Sequence, residues 1–139
     1  MSSFEIQAPL LSAKTLKSID LFLEDYYPKA SEAGEKIAAC KMEKTQVRGL
    51  ENLIVSATRF SEVINYIKNQ VGKEREKNTW KEVGPMLLSQ LRDIETKAGD
   101  IAGDNPMERL EIKLRLLRGW ARQVVAHYLY KDRDEGRHS

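Results

Sequence analysis

Apolar residues recur every three or four positions through most of this chain, and a period of two appears nowhere. The longest run starts at Val47 and continues through Leu50, Ile54, Ala57, Phe60, Ile64, Ile67 and Val71. That spacing is one buried stripe of an α-helix held for about seven turns. Thr45 is placed to cap it, because its hydroxyl can accept from an orphan amide of the first turn, and Gly72 supplies the stop. Upstream, a first helix is predicted from about Ala13 to Tyr27, burying Leu16, Ile19, Phe22, Leu23 and Tyr26, with Pro28 ending it. Ser31 then opens a short second helix through Ile37 and Cys40.

After the long helix, residues 73–78 form a charged connector with no apolar anchor, expected as a solvated loop. Thr79 and Glu82 have the spacing of a capping box, so a fourth helix starts there, kinked or restarted at Gly84-Pro85. Its stripe runs through Leu87, Leu91, Ile94 and Ala98 to Gly99, and 99–104 is read as a turn. The aspartates in that turn lack the ligand spacing of a calcium loop. The last helix has the clearest start: Asn105 at the cap, Pro106 at the first position, Glu108 at N3. Leu110, Leu114, Leu117, Ala121, Val124 and Tyr128 make its stripe, widened by Ile112, Leu116 and Trp120. Gly119 in mid-helix costs about 1 kcal/mol against Ala, which implies close approach of a neighbouring backbone. The sum is an all-α, compact helical bundle of about five helices, two of them long. It forms a single domain over 1–139, with a flexible tail over 1–12 and a frayed C-terminus over 132–139.

Composition bounds function without choosing it. A chain of 139 residues, 41% apolar and 32% charged, suits one globular domain with a real core. No apolar run is long enough to cross a membrane, and the N-terminus lacks a basic start followed by an apolar stretch, so no signal peptide is expected. One cysteine, Cys40, excludes an internal disulfide and fits a reducing cytoplasm. Net charge is +2, unevenly spread: residues 1–43 hold five Lys and Arg against seven Asp and Glu, which leaves the remainder basic.

That basic excess has a pattern. Lys44 and Arg48 head the long helix, at the positive end of its dipole. Cations there cost a few tenths of a kcal/mol, yet with the unpaired amides they make a place to hold a phosphate. A solvated helix end balanced by Glu43 is the plainer alternative. On one continuous helix Arg48 and Arg59 would point the same way, roughly 16 Å apart, with Asn52 between them. Such a stripe could follow a nucleic-acid backbone. Arg115, Arg118 and Arg122 form a second strip on the last helix, where Glu111 can pair with Arg115 and ordinary surface charge is an equal explanation.

Catalytic chemistry is scarce. Two histidines and one cysteine cannot assemble a zinc site, and no phosphate loop, serine elbow or spaced carboxylate pair is present. No metal, no cofactor and no catalytic residue is expected. One stretch resembles an enzyme signature: Arg122-Gln123-Val124-Val125-Ala126-His127 has the Arg-x4-His form of HEPN ribonucleases, small helical bundles that cleave RNA without metal at a dimer cleft. Gln123 departs from the polar residue usual after that Arg, and the motif lies close to the C-terminus with no room for a following helix.

A wider resemblance covers roughly residues 42 to 135. Lys44-Thr45-Gln46-Val47-Arg48 heading a long helix is similar to the Thr-x-x-Arg signature of the small helical subunit of type III-A (Csm) CRISPR effector complexes. The closing stretch Val124 to Lys131 resembles that family's aromatic-rich last helix, with His127 where Tyr is common, and Leu91 to Gly99 sits where its middle helix ends in Ala-Gly. The link from Gly99 to the last helix is shorter than usual in the family. The sister subunit of type III-B (Cmr) complexes is the nearest rival. The resemblance implies a non-catalytic structural subunit in the cytoplasm, whose partners are the crRNA and target RNA, other subunits of the effector complex and copies of itself. It implies Arg48 as an RNA contact. Lys44, Asn52 and Arg59 follow from the helix geometry above, and Arg118 and Arg122 from the strip on the last helix. A helical adapter that binds only protein would keep the same core and leave the Arg48 and Arg59 face free of RNA.

Overall fold

A computed structural model describes residues 11–76 and 78–138, with side chains through 132. Five helices make the described chain: α1 (Ala13–Ala39), α2 (Lys44–Ser56), α3 (Phe60–Lys73), α4 (Thr79–Ala102) and α5 (Pro106–His138). No strand occurs among the described residues. The all-α bundle expected from the periodicity is therefore what forms, but several of its helix boundaries fall elsewhere.

The first difference is at Pro28, which lies inside α1 and does not end it. A proline here withdraws one amide and crowds the carbonyl one turn back, a cost of about 3 kcal/mol in an isolated helix. Two neighbours hold the chain helical across it. Gln123 Nε2 donates to Leu23 O (3.1 Å) on one side, and Gln90 Nε2 donates to Lys29 O (2.9 Å) on the other. Beyond the proline, Ala30, Ala33, Gly34, Ile37 and Ala38 are buried, so the helix is gripped on both flanks. It closes where Lys41 turns into the left-handed region (φ 61°), with Met42 N donating to Ile37 O at 3.3 Å.

The second difference matters more for function. The single long helix expected from Val47 to Val71 is two helices, because the chain is extended at Ala57 (ψ 135°) and again at Arg59 (φ −133°, ψ 132°). Local polar side chains compete with the helix here. Ser56 Oγ donates back to the carbonyls of Asn52 (3.0 Å) and Leu53 (3.3 Å). Glu62 then accepts from the amides of Thr58 (3.2 Å) and Arg59 (3.0 Å) and starts α3 afresh. The apolar spacing survives the break as far as Ile54, Ala57, Phe60 and Ile67, all buried, whereas the expected Ile64 and Val71 are half-buried and Val63 takes the core position in α3. α2 also begins one residue before Thr45, with Glu43 rather than Thr45 in the cap position and no side-chain hydrogen bond to the first-turn amides.

Glu74 replaces the expected capping box of α4. Its carboxylate accepts from the amides of Trp80 (3.1 Å) and Lys81 (3.0 Å) and from the Thr79 hydroxyl, and Thr79 is already the first helical residue. The charged connector is thus anchored at its first residue. α4 continues through Gly84-Pro85 and through Gly99 to Ala102, ending at Gly103 with φ 66°; residues 99–102 are helix rather than turn. At α5 the cap is as expected, with Asn105 Oδ1 accepting from Met107 (3.0 Å) and Glu108 (3.1 Å). The expected stripe holds except at Leu110, which lies with Met107 in the first turns where no helix covers it. The backbone of α5 is helical through His138, past the expected frayed end, while residues 1–10 of the expected tail lie outside the described residues.

The centre of the bundle is α5. It runs parallel to α1, with Leu23 against Gly119 and Gly34 against Val124 and Tyr128. α4 runs antiparallel to both, joined by Tyr26 to Asp93 (2.6 Å) and Lys113 to Glu95 (3.1 Å). α2 lies antiparallel along α5: the Tyr128 hydroxyl donates to Met42 O (3.0 Å) before α2 begins, and Arg118 reaches Ala57 O (3.4 Å) where it ends. α3 folds back onto α4, with Tyr66 edge-on to Trp80 at 6.0 Å.

Candidate nucleic-acid interface

The break at Ala57 separates the expected arginine stripe. Lys44, Arg48 and Asn52 belong to α2, all exposed, and Arg59 sits in the cap position of α3. Arg48 and Arg59 therefore do not share one helix face at three-turn spacing. Arg48 is also less free than the sequence implied, since its guanidinium pairs with Glu51 at 2.7 Å, one turn on. Arg59 is more free: its side chain is 75% exposed and its nearest carboxylate, Glu62, lies 3.8 Å away. Lys44 has no ion-pair partner among the described residues.

The same break brings α5 into the surface. Arg118 is half-buried and directed at the carbonyl of Ala57, two residues from Arg59. At the other end of α2, burial raises the Tyr128 phenol above its ordinary range and Asp132 adds to this, while the Arg48 guanidinium opposes both. The Tyr128 hydroxyl, bonded to Met42 O, stands beside the start of α2, the helix that carries Arg48. The sequence-selected cations thus lie along two antiparallel helices and the elbow between α2 and α3, not along a single rod.

Arg115, Arg118 and Arg122 also line a groove of about 520 Å³ between α1 and α5, with Leu16, Leu23 and the carboxylates of Asp20 and Glu111. Glu111 holds Arg115 at 3.0 Å, whereas Arg122 has no partner among the described residues. Arg122 is shared with a second groove of about 490 Å³, lined by Tyr27, Gln123, Ala126, His127 and Tyr130. Both members of the Arg-x4-His motif therefore face one groove. Within it His127 stands 6.2 Å from the Tyr130 ring. Tyr27 and Tyr130 are 50% and 68% exposed, large aromatic surface that the core does not use. Neither tyrosine was singled out by the sequence as anything but part of an aromatic-rich ending or a helix end. Only the parallel pairing of α1 with α5 brings them together.

Other chemistry is sparse. Among the described residues no group of three or more His, Cys, Asp or Glu is placed to hold a metal ion. Burial pushes the Cys40 thiol up, which makes it a poor nucleophile. Burial, then the hydrogen bond to Asp93 and its charge, raise the Tyr26 phenol well above its usual range, so that hydroxyl stays protonated and serves as a brace. No described helix is long and apolar enough to cross a membrane. Compared with protein-family models, with curated proteins and with solved structures, the chain matches none of them.

Proposed function

We propose that this chain is a non-catalytic, RNA-binding structural subunit of a type III CRISPR effector complex, stacking in several copies along the guide–target RNA in the cytoplasm. The resemblance of 42–135 to the type III-A small subunit suggests the setting. One observation carries the RNA contact: the cationic positions Lys44, Arg48, Arg59 and Arg118 lie along α2, its elbow and the part of α5 facing it, with Arg122 one turn further along α5 on its α1 side. An edge of this kind suits a phosphate backbone, which demands charge at intervals and no base reading. Asn52, exposed one turn after Arg48, adds a neutral donor and acceptor to the same edge.

The decisive measurement is RNA affinity against salt, at high protein concentration or in the assembled complex. Removing Arg48 and Arg59 together should weaken binding equally for all sequences and flatten the slope of log K against log salt by about 0.7 per lost contact on single strands. An Arg48→Ala/Arg59→Ala variant with unchanged affinity and slope would favour the protein-only adapter.

The nuclease reading draws on one feature, the shared groove of Arg122 and His127. Cleavage of single-stranded RNA by the purified chain, lost on His127→Ala with the fold intact, would replace the structural role with a catalytic one. The expected result is no cleavage.

A further inference from the structure

We infer that the α1–α5 face is a track for single-stranded RNA, with phosphates along the α5 arginines and an unstacked base held between Tyr27 and Tyr130. This rests on the RNA-binding reading above, with which it shares Arg118 and Arg122, and it adds Arg115, Tyr27 and Tyr130. Three observations converge. First, Arg115, Arg118 and Arg122 line one groove, and Arg122 also lines the adjoining one. From Arg115 to Tyr130 the track spans roughly 22 Å of helix, a few nucleotides in length. Second, Arg122 lacks a partner among the described residues, so at the junction a guanidinium is available to a phosphate at no cost in broken pairs. Third, the groove beyond it is walled by two largely exposed tyrosines and by His127, with Ala126 as a small floor.

An exposed aromatic wall beside a cation is the recognition chemistry of a base with a free face. Every base has a π-face, so stacking on Tyr is tolerant of sequence, while the phosphate contact supplies salt-dependent attraction. A duplex offers the phosphates but no free π-face, since its bases are already stacked. The acidic groups temper the attraction without cancelling it. Asp20 and Glu111 stand against three arginines, and Glu111 is spent on Arg115. The balance predicts a track that depends on stacking as much as on charge. α2 itself carries no aromatic residue, which separates the two surfaces by experiment.

The test uses the full chain with three labelled probes: an oligouridine, the same oligomer carrying abasic riboses, and an A-form RNA duplex. Tyr27→Ala and Tyr130→Ala should each bind the oligouridine about tenfold or more weakly, the scale of one lost base–aromatic stack. Tyr27→Phe should hold the parent affinity, because stacking needs the ring and not the hydroxyl. The abasic oligomer should bind the parent about as weakly as the intact oligomer binds the alanine variants, and duplex affinity should not change. Alanine variants that bind oligouridine as tightly as the parent, or abasic and intact oligomers that bind the parent alike, overturn the track. If those variants are silent while Arg48→Ala/Arg59→Ala weakens binding, the RNA-binding reading survives and the track alone is lost. A parent that binds none of the three probes removes both.

Discussion

Trp120 Nε1 donates to Gln90 Oε1 at 2.8 Å, and both side chains are buried. The other end of the same amide donates to Lys29 O, so one glutamine ties α5 and α1 to α4 in the middle of the bundle. Changing Gln90 to Ala strands the indole N–H in an apolar interior, which costs about 1–3 kcal/mol before any cavity is counted. In Trp120→Phe the donor is absent, so the Gln90 substitution should cost measurably less. A double-mutant cycle by chemical denaturation should return a coupling of about 0.5–3 kcal/mol. Strictly additive losses would mean that the bond contributes nothing to stability.

Two glycines should respond in opposite directions. A Cβ at Gly34 would lie 2.5 Å from Val124 O and 2.9 Å from both His127 Cβ and Tyr128 N. Because main chain cannot step aside as a side chain can, Gly34→Ala should cost about 1–3 kcal/mol or more. A Cβ at Gly99 meets nothing within 4 Å, and the residue is helical. Gly99→Ala should therefore stabilise by up to about 1 kcal/mol. A destabilising Gly99→Ala would return residues 99–102 to the turn that the sequence suggested.

Ile54 and Leu117 are 1% and 0% exposed. Either one changed to Ala should lower stability by roughly 2–5 kcal/mol. Thermal melting that leaves both within a degree of the parent would mean that the faces of α2 and α5 are misassigned.

Acid should loosen α3 and α4 at their starts. Hydrogen bonds from the Arg59 and Thr58 amides hold the Glu62 carboxyl below its ordinary value. Burial alone would raise Glu74, but bonds from the Thr79 hydroxyl and from the Lys81 and Trp80 amides outweigh it and leave that group lowered too. A carboxyl whose folded value is depressed contributes stability above its unfolded value and loses it as pH falls through the folded one. The loss should begin below the usual glutamate range, near 4.5, and continue downward. Glu62→Gln/Glu74→Gln should flatten the acid limb of a stability–pH curve. A variant with the parent's acid limb would show that neither cap titrates with folding.

Fold class was legible because helical period is written in side-chain polarity, and α5 shows it best: its cap at Asn105 and all of its expected stripe but Leu110 are as the pattern demands. The helix limits were less legible where tertiary bonds decide them. Pro28 reads as a stop, and only Gln90 and Gln123, distant in sequence, keep the helix going. At Ala57 the error ran the other way, because the apolar spacing fits a continuous helix and the break is made by Ser56 and Glu62, whose bonds leave no periodic trace. At Gly119 the sequence implies a neighbouring backbone, but its close neighbour is the Leu23 side chain, and the backbone contact falls at Gly34. The candidate site suffered most from the elbow. The sequence joins Arg48 and Arg59 on a rod that the elbow breaks, and it gives no sign that Tyr27 and Tyr130, on different helices, share one groove.

The seat of Gly34 on the α5 main chain has a mechanical consequence. Two helices packed through side chains can shear by re-choosing rotamers, but a backbone-to-backbone seat works as a key in a slot. Sliding α1 by one turn, about 5.4 Å, would drive a larger residue into the space that only glycine fits. The slab of α1, α4 and α5, cross-linked by Gln90, therefore moves as one piece. α3 is held to that slab in a similar way, since a Cβ at Gly84 of α4 would lie 2.5 Å from Val71 Cγ2, so a larger residue at either glycine would push two helices apart rather than bend one.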